Sequence, residues 1–128
     1  MSLSIFNARL LDPASGLDEI GGILIEGGFI TAISPGATGA VGNANEVIDA
    51  GGLCLAPGLI DLRVKTGEPG DEQKETLATA SRAAVAGGVT SLVVMPDTKP
   101  VVDDVALVRY ISDRAKVSAT ARIYAAGA

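Results

Sequence analysis

Apolar positions along this chain recur at two different periods, and the change falls near residue 57. Before it, apolar residues come in short alternating runs broken by glycine. Leu3, Ile5, Ala8 and Leu10 predict a first strand. The runs Ile23–Ile25 and Phe29–Ile33 flank Glu26-Gly27-Gly28, a hairpin signal because glycine takes positive φ freely. A Gly/Ala/Asn loop from Pro35 to Asn45 leads into a short strand at Glu46–Asp49. Residues 1–56 therefore read as part of a small antiparallel β unit, of the kind found in a β-sandwich.

After residue 57 the two periods alternate. Leu59–Lys65 reads as a strand, and Asp71 is placed to cap a helix running to about Ala86, with Glu72 and Glu75 in its first turn. Leu77, Ala80, Ala84 and Val85 would form the buried stripe of that helix, and Gly87-Gly88 would end it. Val89–Met95 is an apolar strand. Asp103 or Asp104 caps a second helix to about Lys116, with Val105, Leu107, Val108 and Ile111 facing inward and Arg114 and Lys116 near its C-terminal end. Arg122–Ala126 opens a third strand. The wiring β-α-β-α-β with short connections predicts an α/β fold with a parallel sheet over residues 57–128. Three parallel strands leave open edges, which points to the N-terminal portion of a TIM (β/α)8 barrel, part of a larger chain or assembly, over a three-strand domain capped by the N-terminal unit.

Composition narrows the function classes. The 128 residues are 48% apolar, and with two Phe, two Tyr and no Trp the core must be built from Val, Ile, Leu and Ala. A net charge of −5 and the lack of a basic stripe argue against nucleic-acid binding. Cys54 is the single cysteine, so it has no disulfide partner within the chain and reads, between Leu53 and Leu55, as a small buried hydrophobe. Without a signal-like N-terminus or a membrane-length apolar run, the expectation is a cytoplasmic protein. Neither a GxGxxG nor a P-loop pattern is present, so the paired glycines are turn residues.

The segment with most chemical content is Ala56–Gly70, APGLIDLRVKTGEPG. Asp61, Arg63 and Lys65 alternate along the predicted strand and so share a face, with neighbours roughly 6–7 Å apart. Asp61 reads as a partner for backbone or a nearby cation before it reads as a catalyst. Arg63 and Lys65 are either solvated charges at a strand end or cations paired with a carboxylate, Asp97 or an acidic residue further along.

This run, followed by KETLATASRAAVAGGVTSLVVMPDTKPVVDD, resembles dihydroorotase of the type grouped with hydantoinases and allantoinases in the amidohydrolase superfamily. The likeness extends from about Ile23 to the end of the chain. It implies a TIM barrel with a small β-sandwich, and a metal-dependent cyclic-amide hydrolase. The family's motif after the first barrel strand is His-x-His-x-Arg-x-Pro-Gly, whose histidines bind zinc and whose arginine holds the substrate carboxylate. On this sequence Arg63 and Lys65 occupy the histidine positions and Gly67 the arginine position, whereas Glu68, Pro69 and Gly70 match. The family's substrate-holding asparagine falls on Asp97. The family's remaining metal and catalytic residues would lie beyond Ala128.

With the metal and substrate positions changed together, the resemblance implies a metal-free, non-catalytic member: no cofactor, no catalytic residue and no metal ligand in this chain. Some family members of that kind serve as structural partners of aspartate carbamoyltransferase in pyrimidine biosynthesis, a role that the resemblance implies here. An active amidohydrolase using altered or downstream metal ligands is the alternative. A third reading is a small binding domain dimerising through its open sheet edge.

Overall fold

The computed structural model describes residues 1–128 and divides them into two compact units, Met1–Pro57 and Gly58–Ala128. The first is a five-stranded sheet built from β1 (Ser2–Asp12), β2 (Leu17–Glu26), β3 (Phe29–Pro35), β4 (Glu46–Asp49) and β5 (Cys54–Leu55). The spatial order is β3-β2-β1-β4, with β5 also pairing β1. The hairpin at Gly27-Gly28 forms as the glycine pair predicts, with φ of 58° and 86°. The purely antiparallel expectation is corrected: β4 and β5 both lie parallel to β1. Alternation of apolar residues reports which face a side chain takes and carries no information on strand direction. The direction here is set by the 36–45 loop, which returns the chain to the far side of β1. Its Val41 N–H donates to the buried Ser4 hydroxyl at 2.7 Å, and the Asn45 side chain accepts from Ser2. Ala8, Leu10 and Ile23 form the core of this unit.

A second correction concerns Cys54, which is exposed. It sits on β5 opposite Arg9, and because neighbouring residues of a strand face opposite sides, Leu55 packs on the core and Cys54 faces outward.

The second unit contains β6 (Leu59–Val64), α1 (Leu77–Ala86), β7 (Val89–Val94), α2 (Val105–Ser118) and β8 (Arg122–Ala125). The three strands are parallel, in the order β6-β7-β8. Leu77 of α1, Ile111 of α2, Val94 of β7 and Val102 from the loop after β7 make the buried core, with Leu107, Val108, Ile123 and Ala125 packed on it. Both helices therefore contribute to a single core. Leu59, Ile60 and Leu62 of β6 remain exposed.

Helix α1 starts five residues later than the Asp71 cap predicts, with its cap at Thr76. Asp71 and Glu72 are drawn into a local turn instead: Lys74 Nζ donates to Asp71, and the Gly70 N–H donates to Glu72. Such short-range bonds compete with helix propagation. Thr76 is the actual cap, in a reciprocal arrangement with Thr79, and no acidic residue stands in the first turn. Of the predicted stripe, Leu77 and Ala80 are buried, joined by Ser81, whereas Val85 is exposed. In α2 the Asp104 carboxylate caps Ala106 and Leu107, and Ile111 and Ala115 are buried, but Val105 is exposed.

Candidate functional site

In a parallel sheet the loops after the strands gather at one edge, where ligands of α/β folds bind. Here that edge carries the residues singled out from sequence. The ladder between β6 and β7 continues past the strands through the Met95 N–H, which donates to the Val64 carbonyl at 2.8 Å. This bond brings Lys65, the residue after β6, alongside the Pro96-Asp97 turn after β7. Lys65 Nζ is ion-paired with Asp97 Oδ2, so the paired reading holds for Lys65. The hydrogen bond from Lys65 holds the Asp97 carboxyl below the usual carboxylate range, helped by the charges of Lys65 and Arg63. Arg63 points no hydrogen bond at any side chain, so for it the solvated reading applies, with Asp97 near enough to feel its charge. Asp61 accepts the Arg63 N–H at 2.9 Å, which gives it the backbone-bonding role read from sequence.

The loop between β6 and α1 is tightly closed. The Asp71 N–H donates to the Gly67 carbonyl at 2.5 Å. A Cβ built on Gly67 would overlap the carbonyl oxygens of Asp71 and Glu75, the latter at 2.6 Å. Position 67 thus has no room for any side chain in this backbone. The loop is also stitched to the one after β7. The Lys99 N–H donates to the Pro69 carbonyl at 3.1 Å, and Lys99 Nζ pairs with Asp71 Oδ2 at 3.1 Å. Hydrogen bonds from Lys74 and Lys99 lower the Asp71 carboxyl to about 2.

Glu68 is the buried charge of this region, 2% exposed. Its Oε2 accepts the Leu77 N–H of α1 at 2.9 Å, and its Oε1 accepts from Arg114 Nε at 2.8 Å and from the Tyr110 hydroxyl at 3.3 Å, both on α2. The sequence placed Glu68 in a motif without assigning it a role. Its partner Arg114 lies 46 positions away, and no local pattern reports such a pairing.

Amidohydrolases use zinc, and the residues present do not fit it. Zinc takes lone pairs from imidazole, thiolate or carboxylate. A guanidinium has none to give, and the Lys65 ammonium is engaged as a cation with Asp97. The carboxylates at this edge are spoken for: Asp61 by a backbone amide, Asp97 by Lys65, Asp71 by two lysines. No three His, Cys, Asp or Glu side chains of this chain gather as a ligand set.

The family model described as "Dihydro-orotase-like" matches residues 52–127. The chain is 44% identical to a dihydroorotase of Pelobacter propionicus over 99% of its length. It is 45% and 46% identical to dihydroorotase-like proteins of Pseudomonas putida and Pseudomonas aeruginosa, each over its whole length. It spans 30% of the length of each of these relatives. Among solved structures, an L-hydantoinase from Arthrobacter aurescens superimposes with a TM-score of 0.83 at 25% identity, over 98% of this chain and 27% of that one. Phenylurea hydrolase B shares the fold at a TM-score of 0.70. The fold class is accordingly α/β, an N-terminal portion of the amidohydrolase barrel with its preceding β unit. The chain belongs to the dihydro-orotase-like family of the amidohydrolase superfamily.

Proposed function

We propose that the protein is a dihydroorotase-like member of pyrimidine biosynthesis that has given up hydrolysis and acts as a structural partner of aspartate carbamoyltransferase. The Lys65–Asp97 ion pair carries this reading. It joins a family metal-ligand position to a family substrate position and satisfies both with each other. Hydrolysis in the family relies on metal-activated water attacking a cyclic amide carbonyl, which needs an electron-donating ligand set on this strand. Here the strand offers cations, and the closed backbone at Gly67 leaves no space for a carboxylate-gripping arginine.

The partnership rests on the resemblance to metal-free members of the family; the two relatives named dihydroorotase-like support only the family. The test is made on the full-length protein. It is expected to purify without stoichiometric zinc, to show no dihydroorotase turnover, and to co-purify with the transferase. Zinc-dependent turnover would reject the reading and establish the second one, an active amidohydrolase assembled on altered or downstream ligands. That second reading is favoured by the relatives named dihydroorotase at similar identity.

A further inference from the structure

Glu68 stands three residues beyond Lys65, buried, with a set of bonds that the reading of the Lys65–Asp97 pair does not use. It touches neither Lys65 nor Asp97. Its two carboxylate oxygens are both committed, one to the first amide of α1 and the other to Arg114 and Tyr110 of α2. The Leu77 amide is one of the orphan donors of a helix start, and a carboxylate there also meets the positive end of the helix dipole. Because α1 lacks an acidic residue in its own first turn, Glu68 supplies that charge from the preceding loop.

The consequence is geometric. A buried carboxylate held at three points fixes the backbone of Glu68, and only Thr66 and Gly67 separate it from Lys65. The Thr66 hydroxyl donates to the Glu68 carbonyl at 3.2 Å, and Gly67 is pressed against the Asp71 and Glu75 carbonyls, so neither residue gives slack. On the far side, the Pro69 carbonyl receives the Lys99 N–H from the loop that also holds Asp97. We propose that Glu68 is the positioning residue of this sheet edge: by tying the β6–α1 loop to both helices it sets where Lys65 stands and so maintains the Lys65–Asp97 pair. Glu68 then has an architectural role, independently of whether the protein hydrolyses anything. The inference does not rest on the proposed loss of activity.

The test reads the Asp97 carboxyl by carbon-13 NMR titration in the full chain, with Asp97→Asn identifying the signal. In the parent protein the midpoint is expected below the ordinary carboxyl range, and Lys65→Met, which removes the partner directly, is expected to raise it. Glu68→Gln is expected to raise the Asp97 midpoint toward the Lys65→Met value. The sign is diagnostic. Removing a nearby negative charge without moving Lys65 would favour the ionised Asp97 and lower its midpoint. Arg114→Met, at a half-exposed position on α2, is expected to raise it as well, and Arg114→Lys, which can still bond Glu68, to keep the parent value. Circular dichroism verifies that each variant is folded. If Glu68→Gln does not fold, Glu68→Asp decides: it keeps the charge but shortens the reach to Leu77 and Arg114, so a raised Asp97 midpoint supports the proposal and an unchanged one overturns it. A folded Glu68→Gln whose Asp97 midpoint is unchanged or lowered, or an Arg114→Met indistinguishable from Arg114→Lys, overturns the proposal.

Discussion

Lys65 and Asp97, 32 positions apart in sequence, are ion-paired across the carboxyl ends of two adjacent parallel strands. The resemblance to dihydroorotases sets the first of these at a metal-ligand position and the second at a substrate-holding position. Their pairing joins the two positions in one interaction.

Both members of that pair are solvent-accessible, so it is screened by salt and adds little to stability. Lys65→Met is expected to leave the thermal midpoint nearly unchanged while the Asp97 carboxyl moves up toward its ordinary range. Differential scanning calorimetry alongside the NMR titration checks both outcomes. A large drop in thermal midpoint would mean that the pair is buried in the working protein.

Acid should loosen the β6–α1 loop in a defined window. Asp71 titrates at about 2 in the fold against 3.8 ordinarily, and Asp97 is also depressed. A carboxyl lowered by folding contributes stability that is complete above its unfolded value and is lost as pH falls through the folded one. Stability is therefore expected to fall between about pH 4 and pH 2. Urea midpoints across that range, compared with those of Asp71→Asn, measure it: the variant should show a shallower loss.

Restoring the family's arginine should fail on steric grounds. Even Gly67→Ala places a Cβ against the Asp71 and Glu75 carbonyls, and such overpacking costs about 1–3 kcal/mol. Arg63→His with Lys65→His and Gly67→Arg is thus expected to be less stable than the parent and no more active. Urea denaturation and a dihydroorotase assay check this together.

The core of the second unit is expected to be sharply localised. Leu77→Ala removes a fully buried side chain and should cost about 2–5 kcal/mol, as should Ile111→Ala. Val85→Ala and Val105→Ala, at exposed positions on the same helices, should cost far less. Removing the α1 cap with Thr76→Ala should cost about 1 kcal/mol. Chemical denaturation of the four core and surface variants and the cap variant ranks them.

How much of this was legible beforehand differs between elements. β6, β7, α2 and β8 fall within one or two residues of the positions that periodicity and caps predict, because apolar period and capping residues are local properties. The start of α1 was not legible: Asp71 is a good cap by type, but Lys99, 28 positions on, and Lys74 claim its carboxylate. Exposed Val85 and Val105 fit the helical period yet face away from the packed side, since period gives a stripe and not its extent. The parallel placement of β4 and β5 was equally hidden, because strand direction depends on how a loop travels.

The sequence by itself determined the parallel β-α-β-α-β wiring, the family and the cationic side chains at positions 63 and 65, since each is a matter of residue type and order. Tertiary structure alone decided which charges meet. Lys65 finds Asp97, Asp71 finds Lys99, and Glu68 finds Arg114 because strand pairing and helix packing bring distant segments within hydrogen-bonding distance. An ion pair acts over a few ångströms of space, and the chain order that encodes the fold does not state those distances.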